Sequence, residues 1–275
     1  GGFSLEAARA VFAAPLPVLA ALIDKSLVRV DDTRGASPAA AGALAATRLS
    51  MHPLVQQFAA ERLDPAERAA ARDAHAQHHL QLLARYPRGR LGEQAAYFDR
   101  IEEDYANVRA AWLHAVEARW SAALAAGLVS LSSFLFSRSR CDDGLALLEV
   151  AVPRLGDDAN AVAESQVARA LLLHTRSRYP EAAALARAAL RYARQRKDAR
   201  LRRSSLFMLG QASFAMGHYA SAAHCHRESL ELSRAEGNGN GIAGGLAMLG
   251  DLAVVEGRYD EDRKSTRLNS SHEDL

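Results

Sequence analysis

The chain has 275 residues, 49% apolar and 24% charged, with a formal net charge of +2. That is enough for one large globular domain or two modest ones. Alanine fills 58 positions and arginine 31 against three lysines, while aromatic residues are only 6%, so the composition favours helix and argues against an all-β sandwich or barrel. The balanced charge excludes a strongly basic nucleic-acid-coating protein but leaves local patches open. No run approaches 18 consecutive apolar residues, and the first thirty residues lack a signal-peptide pattern. Cys141 and Cys225 alone make no disulfide framework, which points to a reducing, cytoplasmic setting. Gly1, Gly2 and Phe3 run straight into an amphipathic helix without an initiator Met, as expected of a slice of a longer protein.

In chain order, Ser4 is placed to cap a first helix reaching about Ala13, with Leu5, Ala8, Val11 and Phe12 as its apolar stripe. Pro15 and Pro17 open a second helix, Leu16 to Lys25, and Ser26 to Val30 alternates as a strand does. Asp31 to Ala46 reads as a long loop and Thr47 to Met51 as a second strand. Pro53 stands in the first turn of the helix that follows. From Asp64 to Arg119 the pattern is helical: one helix starts at Pro65 and runs to about Tyr86, the segment Tyr86 to Gly92 breaks it, and another spans Glu102 to Ala118.

The remainder is a repeat. Tyr179, Tyr219 and Tyr259 are forty residues apart, as are Gly217 and Gly257, Leu209 and Leu249, and Gly210 and Gly250. Each unit is a helix, a turn ending in Tyr and a second helix, and it must stack on its neighbours to bury its apolar face. Ala170, Ala182, Ala189, Gly210 and Ala222 are the small residues expected at close helix crossings. A degenerate earlier unit, with Cys141 in the Tyr position, brings the expected count to four helical hairpins.

The stretch Leu206 to Leu232 resembles the tetratricopeptide repeat in its longer form, on the strength of Gly217, Tyr219 and Ala222. That resemblance implies a protein or peptide binder whose groove is lined by Leu171 and His174 in one unit and by Phe207, Gln211 and Phe214 in the next. The alternative for Phe207 and Phe214 is that they are simply core. The N-terminal segments GGFSLEAARAVF, LPVLAALIDKSLVRV and RLSMHPLVQQFAAERL are similar to the winged-helix region of STAND-class signal-transduction ATPases. Bacterial regulators of that class continue, as here, into a helical connector and tetratricopeptide repeats. The resemblance implies a mainly α fold: a winged-helix-like domain over residues 1–63, a connector over 64–120 and an α-solenoid over 121–261. Met51, His52 and Pro53 fall where the family often has Met-His-Asp, so the role of sensing a bound nucleotide diphosphate transfers to His52, with Pro53 replacing the usual Asp. The other reading is a His that ends a strand.

The function so implied is the regulatory, partner-binding portion of a bacterial STAND-type ATPase or transcriptional regulator. Its repeats take a protein, peptide or small-molecule effector, and its winged helix couples to nucleotide state. No enzyme activity and no cofactor are expected in this stretch; ATP or ADP belongs to an upstream ATPase domain. A repeat scaffold without a nucleotide switch is the alternative. Direct DNA binding by the winged helix is disfavoured, because residues 3–63 hold six basic and five acidic side chains and Leu16 to Lys25 offers only Asp24 and Lys25 as charged groups.

Weaker signals remain. Arg191 to Arg203 carries seven cations and one carboxylate, read either as a phosphate patch or as a solvated helix end. His75, His78 and His79, and separately His224, Cys225 and His226, lack the second ligand set a metal site needs. No Gly-x-Ser-x-Gly nucleophile elbow and no phosphate-binding loop occurs. After Tyr259 the repeat pattern fails, with Asp262 where Ala182 and Ala222 stand. Asp262 to His272 resembles a translated sequencing adapter, so the native sequence is expected to end near Glu261, with 262–275 a tail of no function.

Overall fold

The computed structural model describes residues 2–12, 15–31, 48–86, 91–255 and 257. Of the loop expected from Asp31 to Ala46, Asp31 is instead the last residue of a strand paired with Arg48; the rest of that loop, most of the Tyr86 to Gly92 break, Tyr259 and the 262–275 tail lie outside the described residues. Among those described, the chain is mainly helical, with thirteen α-helices and three short strands. No single helix among them is long and apolar enough to cross a membrane. Contacts divide the chain into two compact units, Gly1–Tyr86 with Gln94–Leu124, and Pro87–Glu93 with Ala125–Leu275.

The first unit begins with β1 (Phe3–Ser4), α1 (Leu5–Phe12), α2 (Leu16–Asp24), β2 (Arg29–Asp31) and β3 (Arg48–Ser50). Phe3 and Ser4, expected to lead directly into helix, instead form an edge strand, with Phe3 opposite Leu49 and Ser4 opposite Arg48. The central β3 also pairs antiparallel with β2, placing Val30 opposite Leu49. Ser4 nevertheless caps α1, its Oγ accepting from Ala7 N at 3.0 Å. Ala8, Leu19, Val28 and Leu49 form the small core beneath this sheet.

The same unit continues with α3 (Pro53–Arg62), α4 (Pro65–Ala84), α5 (Leu91–Glu103) and α6 (Tyr105–Glu117). The helix expected over Glu102 to Ala118 is thus two helices, parted at Asp104 (φ −107°, ψ 14°). A distant partner accounts for the break. Arg48 donates to Asp104 Oδ1 at 3.0 Å and to the Gly2 carbonyl at 2.9 Å, and Asn107 donates to that same carbonyl at 2.9 Å. An arginine on the central strand therefore ties the chain's first strand to the start of α6. Asp64 and Glu67 close a reciprocal capping box that starts α4. The α4 and α6 faces meet through Ala76, Leu80 and Leu83 on one side and Val108, Ala111, Trp112 and Ala115 on the other.

The second unit contains α8 (Cys141–Ala151), a 3₁₀ turn (Val152–Arg154), α9 (Ala159–Thr175), α10 (Tyr179–Arg196), α11 (Ala199–Ala215), α12 (Tyr219–Ala235) and α13 (Gly239–Val255). Before them runs α7 (Ser121–Ser137). From α8 to α13 each helix packs on the next, and α9, α11 and α13 also touch in succession. Two turn devices recur every forty residues. Ser177 and Gly217 follow α9 and α11, which with α13 are the inner helices, in the left-handed conformation (φ 58° and 78°), and Lys197 and Gly237 do the same after the outer helices α10 and α12 (φ 57° and 65°). The next amide in each turn reaches back five residues: Arg178 N to Leu173 O at 2.9 Å, Asp198 N to Ala193 O at 3.0 Å, His218 N to Ser213 O at 2.8 Å, and Asn238 N to Ser233 O at 2.9 Å. This is the Schellman closure. Asp158, Asp198 and Asn238 then cap the following helix, accepting from Ala161, Leu201 and Gly241 at 3.0, 2.8 and 3.1 Å.

Turns this short force consecutive helices to lie antiparallel and close, and small residues fill the crossings. Ala182, Ala183, Ala186, Ala189 and Ala193 on α10 are all fully buried. At Gly210, mid-helix in α11, an added Cβ would stand 2.7 Å from the fully buried His226 ring. Gly217 is glycine for a different reason: a Cβ there would meet nothing within 4 Å, but its φ is left-handed.

These two reasons separate in urea unfolding. Gly217→Ala is expected to cost about 1 kcal/mol through backbone strain alone, and Ser177→Gly to stabilise by a similar amount. Gly210→Ala is expected to cost about 1–3 kcal/mol through overpacking, most of it recovered when His226→Ala is added.

Candidate functional site

His52 is the N-cap residue of α3 in the first unit. Its Nδ1 accepts from Leu54 N at 3.2 Å, and Pro53 occupies the first helical position, where a missing amide is harmless. A neutral imidazole whose Nδ1 is an acceptor carries its proton on Nε2, so the exposed side chain presents an N–H donor at a helix N-terminus. The helix it starts has no buried residue, and Leu54 (69%) and Phe58 (56%) are exposed. On α2 only Leu19 is buried, and Leu16 and Val18 remain open.

The other five expected site residues lie in the second unit and are all half-buried. Leu171 and His174 are on α9; Phe207, Gln211 and Phe214 are on α11. Burial holds the His174 imidazole below the ordinary value, an effect that the neighbouring Gln211 backbone partly opposes. Gln211 in turn donates from Nε2 to Met248 Sδ on α13 at 3.9 Å. The structure therefore brings His174, Gln211 and Met248 into one row across three inner helices. Phe207 and Leu171 pack on the cluster around Ala170, Leu206 and Cys225. Phe207 also meets the His226 ring edge to face, centroids 5.5 Å apart. Phe214 packs on Ala222, Ala223 and Leu252. His174 and Phe214, forty residues apart, each lean on the hairpin tyrosine, Tyr179 at 5.2 Å and Tyr219 at 5.6 Å. Phe207 and Phe214 thus both serve the packing.

Met248 and Gly244 belong to this surface and were not expected. A Cβ on Gly244 would meet the Phe207 ring at 3.3 Å. The signal was present at a spacing of 37: His174, Gln211 and Met248, and likewise Phe207 and Gly244. Neighbouring inner helices meet one helical turn short of the forty-residue repeat.

The arginine-rich segment is largely neutralised from within. Arg202 binds Glu228 through two nitrogens at 2.6 and 2.8 Å, Arg194 reaches the same carboxylate at 3.4 Å, Arg203 pairs with Glu236 at 2.8 Å, and Arg200 pairs with Glu164. Burial pushes the Glu228 carboxyl up, but Arg202 and Arg194 together hold it below its ordinary range.

The histidine clusters pack rather than converge. His79 is buried against His75 and His78, ring centroids 4.6 and 4.9 Å away. On α12, His224 is 76% exposed while Cys225 and His226 are buried. Among the described residues no set of three ligands is placed to hold a metal. A cavity of about 610 Å³ in the first unit runs past His78, His79 and Arg48 to Asp99 and Glu103, with both charge signs on its walls.

Burial, reinforced by the neighbouring His75, pushes His79 down to about 4; burial alone does the same to His226, whose two ring nitrogens have no partner. Both rings stay neutral in the folded chain and protonate near 6.5 when it unfolds. Stability is therefore complete above about pH 6.5 and is lost as the pH falls toward 4, by about 3 kcal/mol per ring. Urea midpoints at pH 7 and 4.5 should fall less for His79→Gln and for His226→Gln than for the parent; an identical fall in both variants would contradict this assignment. No family model matches the chain, and no curated protein matches it either.

Proposed function

We propose that this chain is the regulatory, partner-binding portion of a STAND-type regulator, with residues 1–63 acting as a winged helix coupled to nucleotide state and the helical hairpins acting as tetratricopeptide repeats that hold an effector. The observation that carries the reading is His52: an exposed N–H donor at the start of α3, held by its own capping bond, on a helix whose apolar side chains Leu54 and Phe58 face outward. A phosphate oxygen is the natural acceptor at a helix N-terminus, and exposed apolar residues beside it suit a protein neighbour better than a nucleic-acid backbone. The element order supports the same reading: a short strand, two helices, two antiparallel strands, then a third helix. For the repeats, the row His174, Gln211 and Met248 offers polar and thioether groups on successive inner helices, which suits a peptide or small-molecule effector.

The discriminating experiment uses the full-length gene product and its retention of ADP. His52→Asn keeps the helix cap, since Asn is among the best N-cap residues, but removes the imidazole donor. ADP retention is expected to fall about tenfold in both His52→Asn and His52→Ala, with thermal stability lowered only in the latter, by about 1 kcal/mol. Full retention by His52→Asn removes the residue from the nucleotide site. A reading frame with no phosphate-binding loop upstream favours the scaffold alternative. Salt-sensitive binding of duplex DNA by this chain would favour the DNA-reading alternative, and none is expected.

A further inference from the structure

The outer helices of the second unit share a charge pattern that the groove does not use. On α10, Arg187, Arg191 and Arg194 stand four and three residues apart, which places them on one stripe of the helix, and all three are exposed. Forty residues later, α12 carries Arg227, Glu231 and Arg234 at the same three positions, also exposed. The stripes are neighbours: Arg194 reaches Glu228 on α12 at 3.4 Å, and Arg187 and Arg194 both bear electrostatically on the Cys225 thiol of α12. Of the five arginines, only Arg194 has an ion-pair partner among the described residues.

The rest of the basic segment is different. Arg200, Arg202 and Arg203 are spent on Glu164, Glu228 and Glu236, contacts that join helices of the unit to one another. Of the stripe arginines, only Arg194 joins one helix to another. Each stripe is about 10 Å long, seven residues at 1.5 Å rise. Four guanidiniums without an ion-pair partner among the described residues, on two neighbouring helices and with Glu231 as the one carboxylate of the stripes, form an anion-facing surface, and guanidinium forks match carboxylates in a bidentate way.

We propose that the outer face of α10 and α12 is a docking surface for an acidic, Asp/Glu-rich segment of a partner protein. A nucleic-acid strand suits it less well, because the stripe carries no aromatic platform for base stacking. The surface is independent of the inner-helix row, so its occupation does not depend on the effector reading.

The test is fluorescence anisotropy of a labelled octaglutamate peptide with the full chain at low salt. Binding is expected, with Kd weakened at least thirtyfold by Arg187→Glu/Arg191→Glu/Arg227→Glu at unchanged helix content, and by less than tenfold when the three are changed to Lys. Octaglutamine is expected not to bind, and the groove change Gln211→Ala to have no effect. If the charge-reversed chain fails to fold, the Arg→Gln triple variant provides the same readout. Equal octaglutamate affinity in parent and triple variant overturns the proposal. So does an oligothymidylate that binds more tightly than octaglutamate at the same ionic strength, or salt-sensitive self-association abolished by the triple variant, which would make a second copy of the chain the occupant.

Discussion

The second unit depends on one backbone constraint, a left-handed residue followed at once by a capping Asp or Asn. Lys197 with Asp198, and Gly237 with Asn238, turn the chain within two residues while satisfying amides and carbonyls that helix ends otherwise leave unpaired. A turn so short leaves no freedom in the approach of the next helix. Ala186 and Ala189, and the bare Cα of Gly210, are consequences of that closeness rather than independent choices. The high alanine content is thus a geometric requirement of the turns as much as a matter of helix propensity. Helices α9, α11, α12 and α13 each have 17 residues, about 25 Å, so equal lengths keep the turns aligned and let the contacts recur.

This is why the repeat was legible in sequence and its contact register was not. Tyr179 and Tyr219, and Ala182 and Ala222, mark turn and crossing positions where one residue type recurs, and a fixed period exposes them at once. The caps Asp158, Asp198 and Asn238 share that period, but two different residue types occupy them. The row joining His174, Gln211 and Met248 follows the stagger between neighbouring inner helices, a property of how they pack and not of any one helix. In the first unit the helix starts at Leu5, Leu16, Pro53 and Pro65 were readable from local capping and proline chemistry. The strand at Phe3–Ser4 and the break at Asp104 were not, because both depend on Arg48, 44 or more residues away in sequence. Two-residue strands carry no periodic signal, and a carboxylate claimed by a distant guanidinium overrides local helix preference.

Of the site residues, His52 was singled out by its place in the Met51–Pro53 motif, and the cap it makes to Leu54 N was not read from the sequence. The side-chain partners of the inner-helix residues were not legible. Phe207 shows why. One side faces the row with Gly244, and the other rests against His226, a buried imidazole without a hydrogen-bond partner that fills the gap left by Gly210. Packing and surface roles are not alternatives for such a residue. A ring that moved outward would uncover an imidazole whose burial is already costly, so the position of Phe207 and the solvation of His226 are linked.

The arrangement of charge follows the same economy. Where arginines face another helix, as Arg200, Arg202 and Arg203 do, carboxylates on that helix meet them, because a half-buried guanidinium without a partner is expensive. Where they face water, as on the α10 and α12 stripes, no such pressure exists, and an alanine or a lysine would serve stability equally well. That Arg recurs at two of the three repeat-equivalent positions, 187 with 227 and 194 with 234, is therefore not explained by folding. Helix propensity does not single out Arg over Ala or Lys, and ion pairing within the unit engages only Arg194. A surface pattern that packing does not require is most simply accounted for by something outside the fold that reads it.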